Sequence, residues 1–291
     1  MSKVLLGNET FSSIPNSVGS VCSVGTSGCL HGFPVLAVSI MASGENPLVY
    51  LILGAAGSGR REVLADLIEA GLGEGERGAV MLATSEVPSA FDAKLPQLAR
   101  WTWEEGTIVA QLPQDATRVF FIADGRRSPI DQLEVFRPWV EAQRGELARV
   151  LVVVNCQLAE KNPALLAWFE ACIHFTDVVL LNRREGVENK WLSGFLAHFK
   201  KQYYPCLFET VKEGRVKNPA LVLEPQARRM SHVFDEEQDW VFTDADGETI
   251  DEDEETEGDE EVQATPEEDP YFVRMPGGRR VKELPDIAKY L

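Results

Sequence analysis

The chain is 291 residues long and 44% hydrophobic, which allows one sizeable core plus extensions. Its net charge of −18 is concentrated: from Asp235 to Asp269 there are 19 Asp and Glu and no Lys or Arg, so the rest is close to neutral. That balance argues against a bulk nucleic-acid binder, which phosphate backbones would repel, but says nothing against a phosphate ligand in the folded part.

The five cysteines (Cys22, Cys29, Cys156, Cys172 and Cys206) are odd in number and scattered, three of them in apolar stretches. This reads as cytoplasmic usage with buried thiols rather than a disulfide frame. No CxxC occurs and the four histidines are isolated, so no zinc or other Cys/His metal site is expected. No apolar run approaches the ~18 residues a membrane span needs, and no basic segment followed by an apolar core marks a secretory signal.

In chain order, residues 1–46 read as a disordered leader rich in Ser, Gly, Asn and Val, and Met41 reads as a natural start. Strand and helix then alternate. Leu48–Leu53 is a buried-strand run, and Arg61–Ala70 has helical spacing with Val63, Leu64, Leu67 and Ile68 on one face. Gly71 and Gly73 end that helix. Ala79–Ala83 and Arg118–Ala123 are strands. Pro129–Gln143 is a helix that Pro138 kinks or divides. Arg149–Val154 is a strand, Pro163–Cys172 a helix, Asp177–Leu181 a strand and Lys190–Gln202 an amphipathic helix, with a short strand at Leu207–Glu209. Near-continuous apolar strands between helices predict an α/β fold, a doubly wound and mostly parallel sheet in a three-layer sandwich, spanning residues 47–232. Residues 233–269 read as an acidic disordered linker, and 270–291 as a basic and aromatic peptide that orders on a partner protein or on the chain's own domain.

The most specific local feature is Gly54-Ala55-Ala56-Gly57-Ser58-Gly59-Arg60-Arg61, set between a strand and a helix. Its glycines have the spacing of the phosphate loop GxxxxGK[ST], in which backbone N–H groups curl round an anion at a helix N-terminus. Arg60 stands for the Lys and Arg61 for the Ser/Thr. An Arg fork pairs with phosphate but is bulkier than an ammonium. Arg61 lacks the hydroxyl that binds Mg²⁺, so magnesium is expected to bind weakly or not at all. The plainer reading is a Gly-rich strand–helix turn.

Residues 47–222 resemble the G domain of the CobW-like metallochaperone GTPases, within the P-loop GTPase group that includes the hydrogenase and urease nickel-insertion GTPases. The resemblance rests most on Phe175-Thr176-Asp177-Val178-Val179-Leu180-Leu181-Asn182-Arg183-Arg184-Glu185, similar to that family's ADVILLNKxD stretch. It implies that Asn182, Arg183 and Glu185 read guanine, Glu185 reaching one methylene further than the usual Asp. It further implies that Asp124 is the acid linked to Mg²⁺ and that Glu86, in Thr84-Ser85-Glu86, faces the phosphates; Asn155 replaces an Asp. The family's GCxCC motif and its C-terminal domain have no counterpart here.

The expectation is therefore a GTPase-like nucleotide-binding protein, taking GTP or GDP with weak or absent hydrolysis and with no residue named as catalyst. Gly54, Gly57, Ser58, Gly59, Arg60 and Arg61 would hold phosphate. The alternatives are a pseudo-GTPase scaffold working through its C-terminal peptide, and a P-loop kinase. No nucleic-acid or membrane partner is expected.

Overall fold

The computed structural model describes residues 46–235, 240–243, 249–250, 263–266 and 268–291. The leader therefore lies outside the described residues, as does most of the acidic stretch.

Seven parallel strands form the centre of a nine-stranded sheet: β1 (Leu48–Leu53), β2 (Gly78–Ala83), β3 (Ala99–Glu104), β5 (Arg118–Ile122), β6 (Glu146–Asn155), β7 (Val178–Asn182) and β8 (Leu207–Lys212). The order is β4-β3-β2-β5-β1-β6-β7-β8-β9, where β4 (Thr107–Val109) and β9 (Arg215–Val216) are antiparallel edge strands. Each edge strand returns through a two-residue turn, Glu105–Gly106 and Glu213–Gly214, in which all four residues have positive φ. That is the turn whose twist matches a hairpin, and Gly favours it.

β1 alternates its side chains between two cores. Val49, Leu51 and Leu53 face one layer, built from α2 (Pro129–Ala142), α3 (Cys156–Lys161), α4 (Leu166–His174) and α5 (Asn189–Lys201). Tyr50 and Ile52 face the other, where α1 (Arg60–Gly71) and α6 (Pro219–Leu223) supply Val63, Leu64, Leu67, Val222 and Leu223. The central strands read as unbroken apolar runs because both faces are covered. Pro138 neither splits nor ends α2, which runs unbroken around it. Cys156, Cys172 and Cys206 are buried thiols, and burial pushes Cys156 and Cys206 up to about 12.

The C-terminal region adds further elements to those read from the sequence. Within the stretch read as a disordered linker, β10 (Trp240–Thr243) pairs antiparallel with β11 (Thr249–Ile250) and β12 (Gln263–Pro266). The peptide 270–291 packs on the chain's own domain, one of the two surfaces considered for it. Tyr271 and Ile287 join the core of the α2–α5 layer, 7% and 1% exposed. Phe272 stacks on Phe175 with centroids 5.4 Å apart. Arg280 bridges Asp131 and Glu134 on α2. Asp269 fixes the start of the segment, accepting from Ser231 Oγ at 2.6 Å and the Tyr271 amide at 2.9 Å, with His174 Nε2 at 2.8 Å. Aromatic burial outweighs the pull of solvent on a basic segment whose charges meet acids on α2.

Candidate functional site

β1 sits where the connections part, one run of strands going toward β2 and the other toward β6. In open parallel sheets the crevice at that point, beyond the strand C-termini, is where ligands bind. The Gly54–Gly59 loop occupies it. Gly54, Gly57 and Gly59 have φ of 132°, 79° and 87°, which side-chain-bearing residues rarely adopt. Two also lack room for a Cβ, which would lie 2.5 Å from the Val153 carbonyl at Gly54 and 2.4 Å from Asn182 Nδ2 at Gly59. The loop is anchored by the Ala56 amide donating to the Gly125 carbonyl (3.0 Å) and leads into α1.

Arg60 is buried, and its guanidinium donates to the Ala123 carbonyl and to Glu86 Oε1. Burial lowers its pKa, against the pull of the Glu86 carboxylate. Arg61 donates to Asp92 Oδ1 at 2.7 Å and reaches Glu86 Oε2 at 3.5 Å. Glu86 lies near the loop, with each of its oxygens turned to one of the two arginines. Asp92 was not singled out from sequence; it enters through a capping box with Ser89 at a 3₁₀ turn, Ala90–Lys94. The S-x-x-D spacing of Ser89 and Asp92 was the available signal.

Asp124 is 4% exposed and fully engaged: Ser85 Oγ donates to it at 2.8 Å, the Arg126 amide at 2.9 Å and Arg127 Nε at 3.1 Å. Gln132 of α2 braces its backbone on both sides. Ser58 Oγ is buried, has no hydrogen-bond partner among the described residues, and lies under Gly54, where a Cβ would be 3.2 Å from it. The residues present do not fit a magnesium ion: the hydroxyl position is a cationic Arg61, and both nearby carboxylates are already held by cations or by donors. Among the described residues no group of three or more His, Cys, Asp or Glu is set to hold a metal.

Asn182 ends β7, and its Nδ2 donates to the Ser58 carbonyl at 2.8 Å, fastening the Gly54–Gly59 loop to the end of that strand. Arg183 has φ 51° and pairs with Glu62 of α1 at 2.9 Å. Glu185 is not drawn into this cluster; it is exposed, and its carbonyl accepts from Gln157 Nε2. Asn155 serves the fold by capping α3, accepting from the Leu158 amide at 3.0 Å. A cavity of about 170 Å³ lies between the loop, Arg60, Arg61, Glu86 and Arg183.

The strand order, the loop after β1 and the helix behind it define a P-loop NTPase-like α/β fold. No family profile matches the chain, and no curated protein does. Among solved structures, the Zn(II)-bound YjiA GTPase from E. coli aligns over 63% of this chain and 67% of its own, at 15% identity and a TM-score of 0.38. The hydrogenase maturation factor HypB from Archaeoglobus fulgidus aligns over 57% and 81%, at 15% identity and 0.37. The cell division protein FtsY from Thermotoga maritima aligns over 62% and 68%, at 16% identity and 0.37. These are distant likenesses, and the reading of the site rests on its residues.

Proposed function

We propose that the chain is a GTPase-like P-loop protein that binds guanine nucleotide weakly and hydrolyses it slowly or not at all. The observation that carries this reading is the Asn182–Ser58 bond, which joins two loops 124 residues apart in sequence, the two that such a ligand needs side by side. The loop amides and Arg60 would meet phosphate; Asn182, Arg183 and Glu185 would flank the base. Weak binding follows from the resting geometry. A cavity of about 170 Å³ is below the ~300 Å³ at which ligand pockets usually begin, so the site has to open. Slow hydrolysis is supported by the engagement of Asp124, the acid expected to be linked to Mg²⁺, by Ser85, Arg126 and Arg127.

A second reading, a pseudo-GTPase whose loop no longer takes phosphate, is favoured by the pairing of Arg60 with Glu86. Its version in which the C-terminal peptide seeks a partner is weakened by the burial of Tyr271 and Ile287 against the chain's own domain. Calorimetry of the full chain with GTP, GDP and ATP, with and without Mg²⁺, separates the readings. The expected result is micromolar to millimolar binding of guanine nucleotides that is little changed by magnesium. Equal binding of ATP would point to the kinase alternative, and no binding of any nucleotide to the pseudo-GTPase.

A further inference from the structure

The entrance to the loop carries two arginines, and Glu86 reaches both, Arg61 being held more closely by Asp92 at 2.7 Å. Glu86 Oε1 accepts from Arg60, and Glu86 Oε2 lies 3.5 Å from Arg61. Two oxygens of one anion, each on a guanidinium, is the pattern by which arginines hold phosphate oxygens. Glu86 is only 7% exposed, so this charge was brought out of water to sit there. It borders the same cavity of about 170 Å³ as Gly57, Gly59 and both arginines.

Glu86 is not part of the sheet. It hangs from the turn after β2, where its amide donates to the Ala83 carbonyl at 3.1 Å and its own carbonyl accepts from Arg100 at 3.3 Å. Thr84 and Ser85 tie the start of that turn to the Trp101 carbonyl and to Asp124, so the part that can move outward begins at Glu86. Arg60 is held from below by the Ala123 carbonyl, which would keep its guanidinium in place after Glu86 leaves.

We propose that Glu86 is the site's built-in phosphate mimic, holding Arg60 and Arg61 in the resting protein until an oxyanion of the phosphate class displaces it. This rests on the nucleotide reading above and adds its regulation: the ligand exchanges for an internal carboxylate instead of entering an empty cradle. Binding then moves Glu86 outward, breaking its amide's bond to the Ala83 carbonyl, and enlarges the cavity. It needs no metal, because the two guanidinium groups supply the countercharge.

The test is calorimetry of GDP and inorganic pyrophosphate with the full chain and with Glu86→Gln, after thermal melts show both folded. The Gln side chain keeps the shape and removes the charge. Both probes should bind the variant at least tenfold more tightly. Equal or weaker binding to the variant, with the unaltered chain binding measurably, overturns the proposal and leaves the nucleotide reading standing. No binding to either folded protein overturns the nucleotide reading and this inference with it. If Glu86→Gln does not fold, hydrogen exchange of the unaltered chain with saturating pyrophosphate decides. Faster exchange at the Glu86 amide supports displacement, and unchanged exchange on a pyrophosphate-bound chain overturns it.

Discussion

Gly125 has an ordinary backbone, so what it requires is space. A Cβ there would lie 2.4 Å from the Ala56 amide nitrogen and 2.4 Å from Arg60 Nη2. Gly57 is the opposite case, with φ at 79° and nothing within 4 Å of a Cβ. Gly125→Ala should therefore cost about 1–3 kcal/mol by overpacking and also displace Arg60, weakening GDP binding. Gly57→Ala should cost about 1 kcal/mol by backbone strain alone. Denaturant titration and GDP calorimetry on the two variants check this. Arg60→Ala is expected to lose about 3 kcal/mol of stability, since it leaves Glu86 buried with only the longer contact to Arg61. Thermal melting reads that as a drop of roughly 6–12 °C for a domain of this size. At this scale the glycines were legible, because spacing and turn chemistry are local. The fate of Arg60 was not. Its partner lies 26 residues away on another turn, and only the fold brings them together.

The central strands and the helices between them were legible as well, since burial on both faces leaves long apolar runs with clear ends. The edge hairpins were harder. β3 has a mixed burial pattern and β9 is two residues long, so neither makes an apolar run. Their signal was the Glu-Gly turn in each. The last ordered element was obscured for another reason. A window of 19 acidic residues hides the less charged Trp240–Thr243 and Gln263–Pro266, and the aromatic residues just beyond it gave no hint of which surface they cover. That surface is now assigned, so the segment's contribution can be measured. Ile287→Ala should destabilise by about 3 kcal/mol, as for other buried aliphatic truncations. Amides of Tyr271, Phe272 and Val281 should exchange slowly in the isolated chain, which hydrogen exchange by mass spectrometry would detect. Asp269 adds a pH dependence. Burial works to raise its pKa, but the bonds from His174, Ser231 and the Tyr271 amide outweigh that and hold it below the ordinary carboxylate value. A carboxyl lowered on folding stabilises above its unfolded pKa of about 3.9 and loses that contribution as pH falls through its lowered value. Asp269→Asn should therefore flatten the acid limb of the stability curve, measured by urea unfolding between about pH 5 and pH 2.

Over the whole molecule, stability resides in the sheet and its two helical layers. β1, the first described strand, is paired on both sides, by β5 and β6. A chain beginning at Met41 is expected to melt within about 2 °C of the full chain; a larger drop would show that the upstream residues stabilise the fold. The closing segment carries a consequence of a different kind. Protein synthesis proceeds from the N-terminus, and a domain usually folds as its residues emerge. Here the α2–α5 layer stays unsealed until the closing segment has been made, because Tyr271 and Phe272 pack on Phe175 and Ile287 joins the same core. The ribosome must translate the whole acidic stretch while that apolar face is still open to water. Those negative charges, emerging just before the seal, would repel neighbouring nascent chains on a polysome during the interval when this one is most prone to aggregate.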